Sequence, residues 1–378
     1  MGLKRVLFLI DSLTCGGAEK SLISLLPLLD YSKIQVDLML VERGGVFEQY
    51  VPEEVNIITF PKSQTLLFRI GQIWFSILLR LLRKRHGAEV RWMAMHCVYK
   101  EVEQEYDVAI AYQQGFPTYY IAQKIQAKRK YAWVNVDMDK AGYSETYNRR
   151  FYDLYDRVIP VSDVLCDMMK RTKYVEAEKL FAVYDILNVN LIRKMSLEGV
   201  DEFKKQGVTI VTTGRLVPPK NHMLAVETAV LLKKRGLKFL WYFVGEGSER
   251  GRIEQMIAKN DLASQVKLVG MTPNPYPYMA LADVYVQTSS FEGFGLTLNE
   301  ARILNKPVVS TNFPVVYNQI KDGENGLIAE MTPESLAEKI MMILNDEVLR
   351  ERLIEGTKKE VNATVHTEPK KVMELLLA

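Results

Sequence analysis

Cysteine and histidine are scarce in this chain, and each scarcity excludes some chemistry. The 378 residues hold three cysteines, Cys15, Cys97 and Cys166, with no CxxC spacing. That excludes a disulfide framework and a zinc knuckle and points to a reducing, cytoplasmic compartment. The four histidines are scattered, so no metal site is expected and no cofactor is implied. No apolar run reaches the length needed to cross a bilayer. Lys4-Arg5 ahead of Val6–Ile10 imitates a signal peptide, but the run stops at Asp11-Ser12 and reads as the first strand of a sheet. Neither sign of charge dominates, with 49 Lys and Arg against 46 Asp and Glu. Basic residues are not interleaved with aromatics, so nucleic acid is not an expected partner. There is no internal repeat and no low-complexity tract.

What is present is a soluble-type composition, 48% hydrophobic and 25% charged. The length is too great for one ordinary core and suits two lobes of roughly two hundred residues each. Short apolar runs alternate with helical segments, the pattern of doubly wound parallel α/β lobes. Strands are expected at 4–10, 34–41, 55–59, 107–111, 130–135, 157–161 and 180–184 in a first lobe, residues 1–187. A second lobe, 207–365, is expected to hold strands at 208–213, 238–244, 266–269, 283–287, 307–311 and 326–329. The polar stretch 188–206 reads as the linker, and a terminal helix within 366–378 as an element returning to the first lobe.

The most informative stretch is SSFEGFGLTLNEARILNKPVVSTN, Ser289–Asn312. Glu292 and Glu300 flank a Phe294-Gly295 hinge, and a helix is expected to begin near Gly295. The unpaired N–H groups around Gly295, Leu296 and Thr297 would attract a phosphate. The two carboxylates could accept hydrogen bonds from hydroxyls on either side of it, as a nucleotide sugar would require. Taken alone, Glu292 reads more simply as a turn residue and Glu300 as a helix-surface charge. A second element weighs against that reading. The β-branched run VTIVTT (208–213) ends in Gly214-Arg215-Leu216-Val217-Pro218-Pro219-Lys220 before another helix. Arg215 can grip a diphosphate with its fork and Lys220 as a point charge. A further strand ends in the glycine turn Gly245-Glu246-Gly247.

These motifs together resemble the retaining glycosyltransferases of family four, which have the two-lobed GT-B fold. The resemblance rests on GRLVPPKNH (214–222), VGEGSER (244–250), LVGMTPNPYPYMALADVYVQTSSFEGFGLTLNEA (268–301) and NGLIAE (325–330). VLFLIDSLTCGGAEK (6–20), WVNVDMD (133–139) and RVIPVSDVLCDMM (157–169) support it less specifically. It implies two Rossmann-like lobes facing a cleft and a nucleotide-sugar donor, most simply UDP-linked. Glu292 would then contact the donor sugar, Glu300 the ribose, and Gly16-Gly17 the phosphates from the first lobe. Arg215, Lys220 and the helix start would stabilise the departing diphosphate without a metal. The anomeric configuration would be retained, with the leaving phosphate taking the acceptor's proton. Many relatives carry a His where this chain has Asn135, which cannot take a proton at neutral pH. Asp137, two residues on along an extended chain, is the candidate replacement.

The expected activity is a hexosyltransferase that extends a lipid-linked acceptor or a surface polysaccharide such as a capsule or teichoic-type polymer. The rival readings are a non-catalytic nucleotide-sugar-binding partner of another transferase and an epimerase on the same fold. One more segment concerns location. Between Lys62 and Arg91 seven Lys and Arg face one Glu, Glu89, around a broad apolar stripe that includes Ile70, Ile73-Trp74-Phe75 and Ile77. It reads either as a basic amphipathic helix lying on the anionic inner face of the cell membrane or as a core helix with a charged end.

Overall fold

The computed structural model describes residues 2–14, 16–61, 66–82, 85–199, 207–292, 295–364 and 367–378. The chain forms two compact units: Met1–Ile186 with Thr367–Ala378, and Leu187–His366. In the first unit, β1 (Lys4–Ile10), β2 (Ile34–Leu40), β3 (Val55–Thr59), β4 (Val102–Ala111), β5 (Ile125–Val134) and β6 (Arg157–Pro160) make one parallel sheet. Its spatial order is β3-β2-β1-β4-β5-β6. The strand order reverses between β1 and β4, and ligands of such sheets bind outside the carboxyl ends at that point. Val6 to Ile10 are all buried, as expected where helices cover both faces of a parallel sheet.

Helices α1 (Gly17–Leu25), α2 (Leu66–Leu81), α3 (Gly87–Met95), α4 (Phe116–Lys124), α5 (Glu145–Tyr152) and α6 (Asp163–Arg171) fill the crossovers. An aromatic core of Trp92, Tyr99, Phe116, Tyr119, Tyr120 and Phe151 packs on one face. Two strands start earlier than the sequence suggests, at Val102 and Ile125. Their first halves, VEQEY and IQAKR, are rich in polar residues and pair beyond the apolar stretch, so hydrophobicity does not reveal them.

The seventh strand expected at 180–184 is absent; only an isolated bridge, Val158 to Leu180, forms there. Phe181 N–H donates to Val158 O (3.0 Å) and Val183 N–H to Pro160 O (3.2 Å). The reciprocal bond between them would need an N–H at position 160, which proline lacks, so the ladder cannot run.

In the second unit, β7 (Val208–Thr213), β8 (Phe239–Val244), β9 (Val266–Gly270), β10 (Val284–Gln287), β11 (Val308–Thr311) and β12 (Leu327–Ala329) repeat the same doubly wound plan. Their order is β12-β11-β10-β7-β8-β9. The helices are α7 (Val189–Met195), α8 (His222–Lys234), α9 (Arg250–Lys259), α10 (Tyr276–Leu281), α11 (Leu296–Ile303), α12 (Pro333–Asn345) and α13 (Glu347–Thr364). The expected linker 188–206 therefore contains α7, and Asn274 Nδ2 donates to Met195 O at its end (2.8 Å). The last helix, α14 (Thr367–Leu377), belongs to the first unit. Tyr131 and Lys4 donate to the Leu375 and Leu377 carbonyls (3.1 and 2.6 Å), and Val372 and Leu376 are buried.

Candidate functional site

In the second unit the strand order reverses between β7 and β10, and the candidate residues gather at the carboxyl ends of those two strands. Gly214 and Arg215 leave β7, and a 3-10 turn, Pro218–Lys220, leads into α8. The turn after β8 presses against this one: a Cβ on Gly245 would lie 1.9 Å from Gly214 O, so only glycine fits. From the end of β10, Thr288 Oγ1 donates to Lys220 O (2.9 Å) and Ser290 N–H to Pro219 O (2.8 Å), locking the two loops together.

Across this join Lys220 Nζ donates to both oxygens of Glu292 (2.6 and 2.7 Å). Glu292 Oε1 also accepts from Gln287 Nε2 (2.6 Å) and Ser289 Oγ (2.5 Å). Gln287 Oε1 in turn accepts from the Tyr285 hydroxyl and from Thr297 Oγ1, both at 3.0 Å. A continuous hydrogen-bonded chain thus runs from the first turn of α11 to the Lys220 ammonium. Arg215 is exposed, and its guanidinium has no ion-pair partner among the described residues. His222, two residues after Lys220, is buried, and neither ring nitrogen has a hydrogen-bond partner among the described residues. Burial, reinforced by the Lys220 charge, pushes its pKa down to about 4, so it is neutral at physiological pH.

Helix α11 starts at Gly295, whose φ of +91° lies in the left-handed region, and no side chain caps it. Its free N–H groups at Leu296 and Thr297 stand beside the Gln287–Glu292 chain. Glu300 sits one turn in, with 0% exposure, and Oε1 accepts from the Tyr276 hydroxyl (3.0 Å). A ribose can touch this carboxylate only after a neighbour such as Tyr276 moves. Phe294 lies outside the described residues.

In the first unit Gly16 is the N-cap of α1 and Gly17 its first residue, again with no side-chain cap. The Glu19 carboxylate folds back over this end: a Cβ on Gly16 would lie 2.2 Å from it. It holds the place an anion would take, so a phosphate there must displace it. Asn135 follows β5; its backbone N–H donates to Gln114 Oε1 (3.0 Å) and its Nδ2 donates to Tyr112 O (3.2 Å). Asn135 Oδ1 is buried and has no hydrogen-bond partner among the described residues. Asp137 is not on an extended chain with Asn135, because β5 ends at Val134 and the backbone turns. Its Oδ1 accepts from Lys140 N–H (3.1 Å), closing that turn.

Sequence reasoning missed Gln287, Ser289 and Tyr276. A polar Gln at the end of the apolar run VYVQ was the one available signal. It also missed Asp11 and Asp185, whose carboxyls burial pushes up to about 6 and about 7; for Asp11 the nearby Arg91 charge partly opposes the rise. No group of three or more His, Cys, Asp or Glu that could hold a metal ion occurs among the described residues.

Residues 197–360 match the family model described as glycosyl transferases group 1. A poly(ribitol-phosphate) alpha-N-acetylglucosaminyltransferase from Staphylococcus aureus is 35% identical over 139 residues, 36% of this chain but only 28% of that protein. An N-acetylgalactosamine-N,N'-diacetylbacillosaminyl-diphospho-undecaprenol 4-alpha-N-acetylgalactosaminyltransferase from Campylobacter jejuni is 25% identical over 90% of both chains. The crystal structure of Anabaena HepE in complex with UDP and glucose superposes with a TM-score of 0.73 at 19% identity, covering 99% of this chain and 100% of that one. At that identity the likeness concerns the fold, which is the two-lobed α/β plan of GT-B proteins.

Proposed function

We propose that this chain, which over residues 197–360 matches the model of the glycosyl transferases group 1, moves a sugar from a UDP-linked donor to a lipid-linked or polymeric acceptor with retention of configuration. The observation that carries the reading is the grouping of Arg215, Lys220 and Glu292 at the reversal point of the second sheet, beside the uncapped start of α11. Breaking the bond between C1 of the sugar and the diphosphate oxygen leaves negative charge on the phosphate. Arg215, Lys220 and the α11 N–H groups are preorganised donors for that charge, so no metal is required. An ammonium has three N–H bonds, and Glu292 takes two of the Lys220 bonds, leaving one for a phosphate oxygen. Glu292, held by Gln287 and Ser289, would present its carboxylate to the sugar hydroxyls. The acceptor oxygen forms the new bond to C1 on the face the phosphate leaves, and the phosphate oxygen receives its proton.

The acceptor class follows those named for the Staphylococcus and Campylobacter relatives, a polymer and an undecaprenol-linked sugar. Helix α2 supports work at the inner face of a membrane. Its Ile70, Ile73, Trp74, Ile77 and Leu81 are all exposed, and their spacing of three and four residues puts them on one helical face. No helix among the described residues is long and apolar enough to cross a bilayer.

The test is incubation with UDP-, GDP- and dTDP-sugars in EDTA, following the released sugar by NMR. Slow hydrolysis of a UDP-sugar with the anomer retained is the expected result. Inverted product would overturn the mechanism, and activity only after Mn²⁺ or Mg²⁺ is restored would overturn its metal independence.

A further inference from the structure

The first unit holds a cavity among helices α3, α4 and α5, with a mainly apolar lining edged by two arginines. It has a volume of about 410 Å³ and is lined by Arg85, Arg150, Trp92, Tyr147, Met93 and His96. Trp92 and Tyr147 are buried and belong to the aromatic core, so the floor is rigid. The walls carry two guanidinium groups that share one ring: the Arg150 guanidinium carbon lies 4.1 Å from the centre of Tyr147 and that of Arg85 5.7 Å.

The positive charge here is poorly balanced. Among the described residues Arg150 has no carboxylate partner and stacks on Tyr147 and Phe151 instead. Arg85 forms one ion pair, with Glu89 at 3.6 Å, longer than a hydrogen bond, so one carboxylate faces two guanidiniums. The other Glu89 oxygen is committed to Ser144 N–H and Asn148 Nδ2, both at 2.6 Å. Two cations held near each other over one aromatic ring repel unless an anion joins them, and a guanidinium fork fits the oxygens of a phosphate. Arg85 also follows closely on the end of α2, and six of the eighteen exposed large hydrophobic residues of the described chain lie in that one helix. An apolar face meant for acyl chains and a cationic pocket in the adjoining connection are the two halves of a lipid contact.

We infer that the Arg85–Arg150 pocket binds the phosphate group of an anionic membrane lipid while the exposed face of α2 rests among the acyl chains. This rests on the membrane-surface reading above and adds headgroup chemistry to it. The pocket is distinct from the donor site, which lies in the second unit.

The test is co-sedimentation of the full chain with phosphatidylcholine vesicles containing either phosphatidylglycerol or, at equal surface charge, oleate, which has no phosphate. Arg150→Gln and Arg85→Gln are compared with Arg149→Gln, which removes the same charge from an exposed neighbour that does not line the pocket. Thermal melts check that each variant is folded. Loss of any one cation near the surface weakens binding to both vesicles by about fivefold. The two pocket variants are expected to lose roughly a further tenfold on phosphatidylglycerol alone, the size of a lost charge-assisted hydrogen bond. Excess glycerol phosphate, at matched ionic strength, should compete for the pocket and weaken wild-type binding to phosphatidylglycerol vesicles to the level of the pocket variants, leaving binding to oleate vesicles unaffected. Equal losses for all three variants, or wild-type binding that glycerol phosphate does not weaken, overturn the pocket while leaving membrane binding standing. A wild type that binds neither vesicle overturns both.

Discussion

At the scale of single residues, the two cations proposed to meet the diphosphate are held in different ways. Lys220 is tied to a buried carboxylate, whereas Arg215 projects from its turn without an ion-pair partner among the described residues. Replacing Arg215 by Ala should therefore remove transition-state stabilisation alone. Turnover of the donor is expected to fall about 10²–10³-fold, with the melting temperature unchanged. Lys220→Ala should cut turnover similarly and also lower stability by about 1–3 kcal/mol, because Glu292 keeps its burial and loses its cation. Turnover measured beside thermal melts separates the two. Equal melting temperatures for both variants would show that the Lys220–Glu292 pair does not hold the loops. Glu292, Glu300 and Lys220 were legible as candidates from local motifs. Gln287 was not, since its role is set by what lies around it: it joins Thr297 on α11 to Glu292 on the loop after β10.

At the scale of elements, α2 has two apolar stripes with different fates. Phe68 and Phe75 pack against the core and Gly71 lies against Met95, while Ile73, Trp74 and Ile77 face solvent. The core-helix reading of the 62–91 segment thus holds for one side of this helix, and the other side is left exposed, where the membrane-surface reading is to be tested; Lys62, Arg83 and Lys84 lie outside the described residues. The triple variant Ile73→Ser, Trp74→Ser, Ile77→Ser should melt with the parent and lose sedimentation with anionic vesicles. Phe75→Ala should instead cost about 1–3 kcal/mol of stability, below the full value for a buried Phe because this one is only partly buried. A triple variant that sediments normally would leave the exposed stripe without a role in membrane contact.

At the scale of the whole molecule, two half-buried carboxyls contribute to how stability varies with pH. Asp185 has its pKa raised by burial from 3.8 to about 7, with Ser21 opposing the rise, and Asp11 is raised to about 6. Between pH 4 and 7 the folded chain then holds protons that the unfolded chain has released, so stability falls as pH rises through this window and stays low above it. For Asp185 the penalty reaches about 4 kcal/mol at pH 8. Asp185→Asn removes the ionisation. Its melting temperature should exceed the parent's at pH 8 and match it near pH 4, by calorimetry. A gain of equal size at both pH values would show that ionisation is not its cause.

By itself the sequence determined the two doubly wound units and singled out the residues of the candidate donor site. Parallel strands covered on both faces are continuous apolar runs, and a glycine turn followed by a helix start is a local signal. Twelve of the thirteen expected strands correspond to strands of the structure; the thirteenth failed because Pro160, on the neighbouring strand, withholds an N–H. That failure belongs to a partner and so could not be read from residues 180–184. The same holds for Asp137, which looked aligned with Asn135 until the chain turned at the end of β5. Only the tertiary structure decided which carboxylate meets Lys220, which face of α2 is left uncovered, and which arginines share Tyr147. These are contacts between residues far apart in the chain, and no local pattern encodes a distance through space.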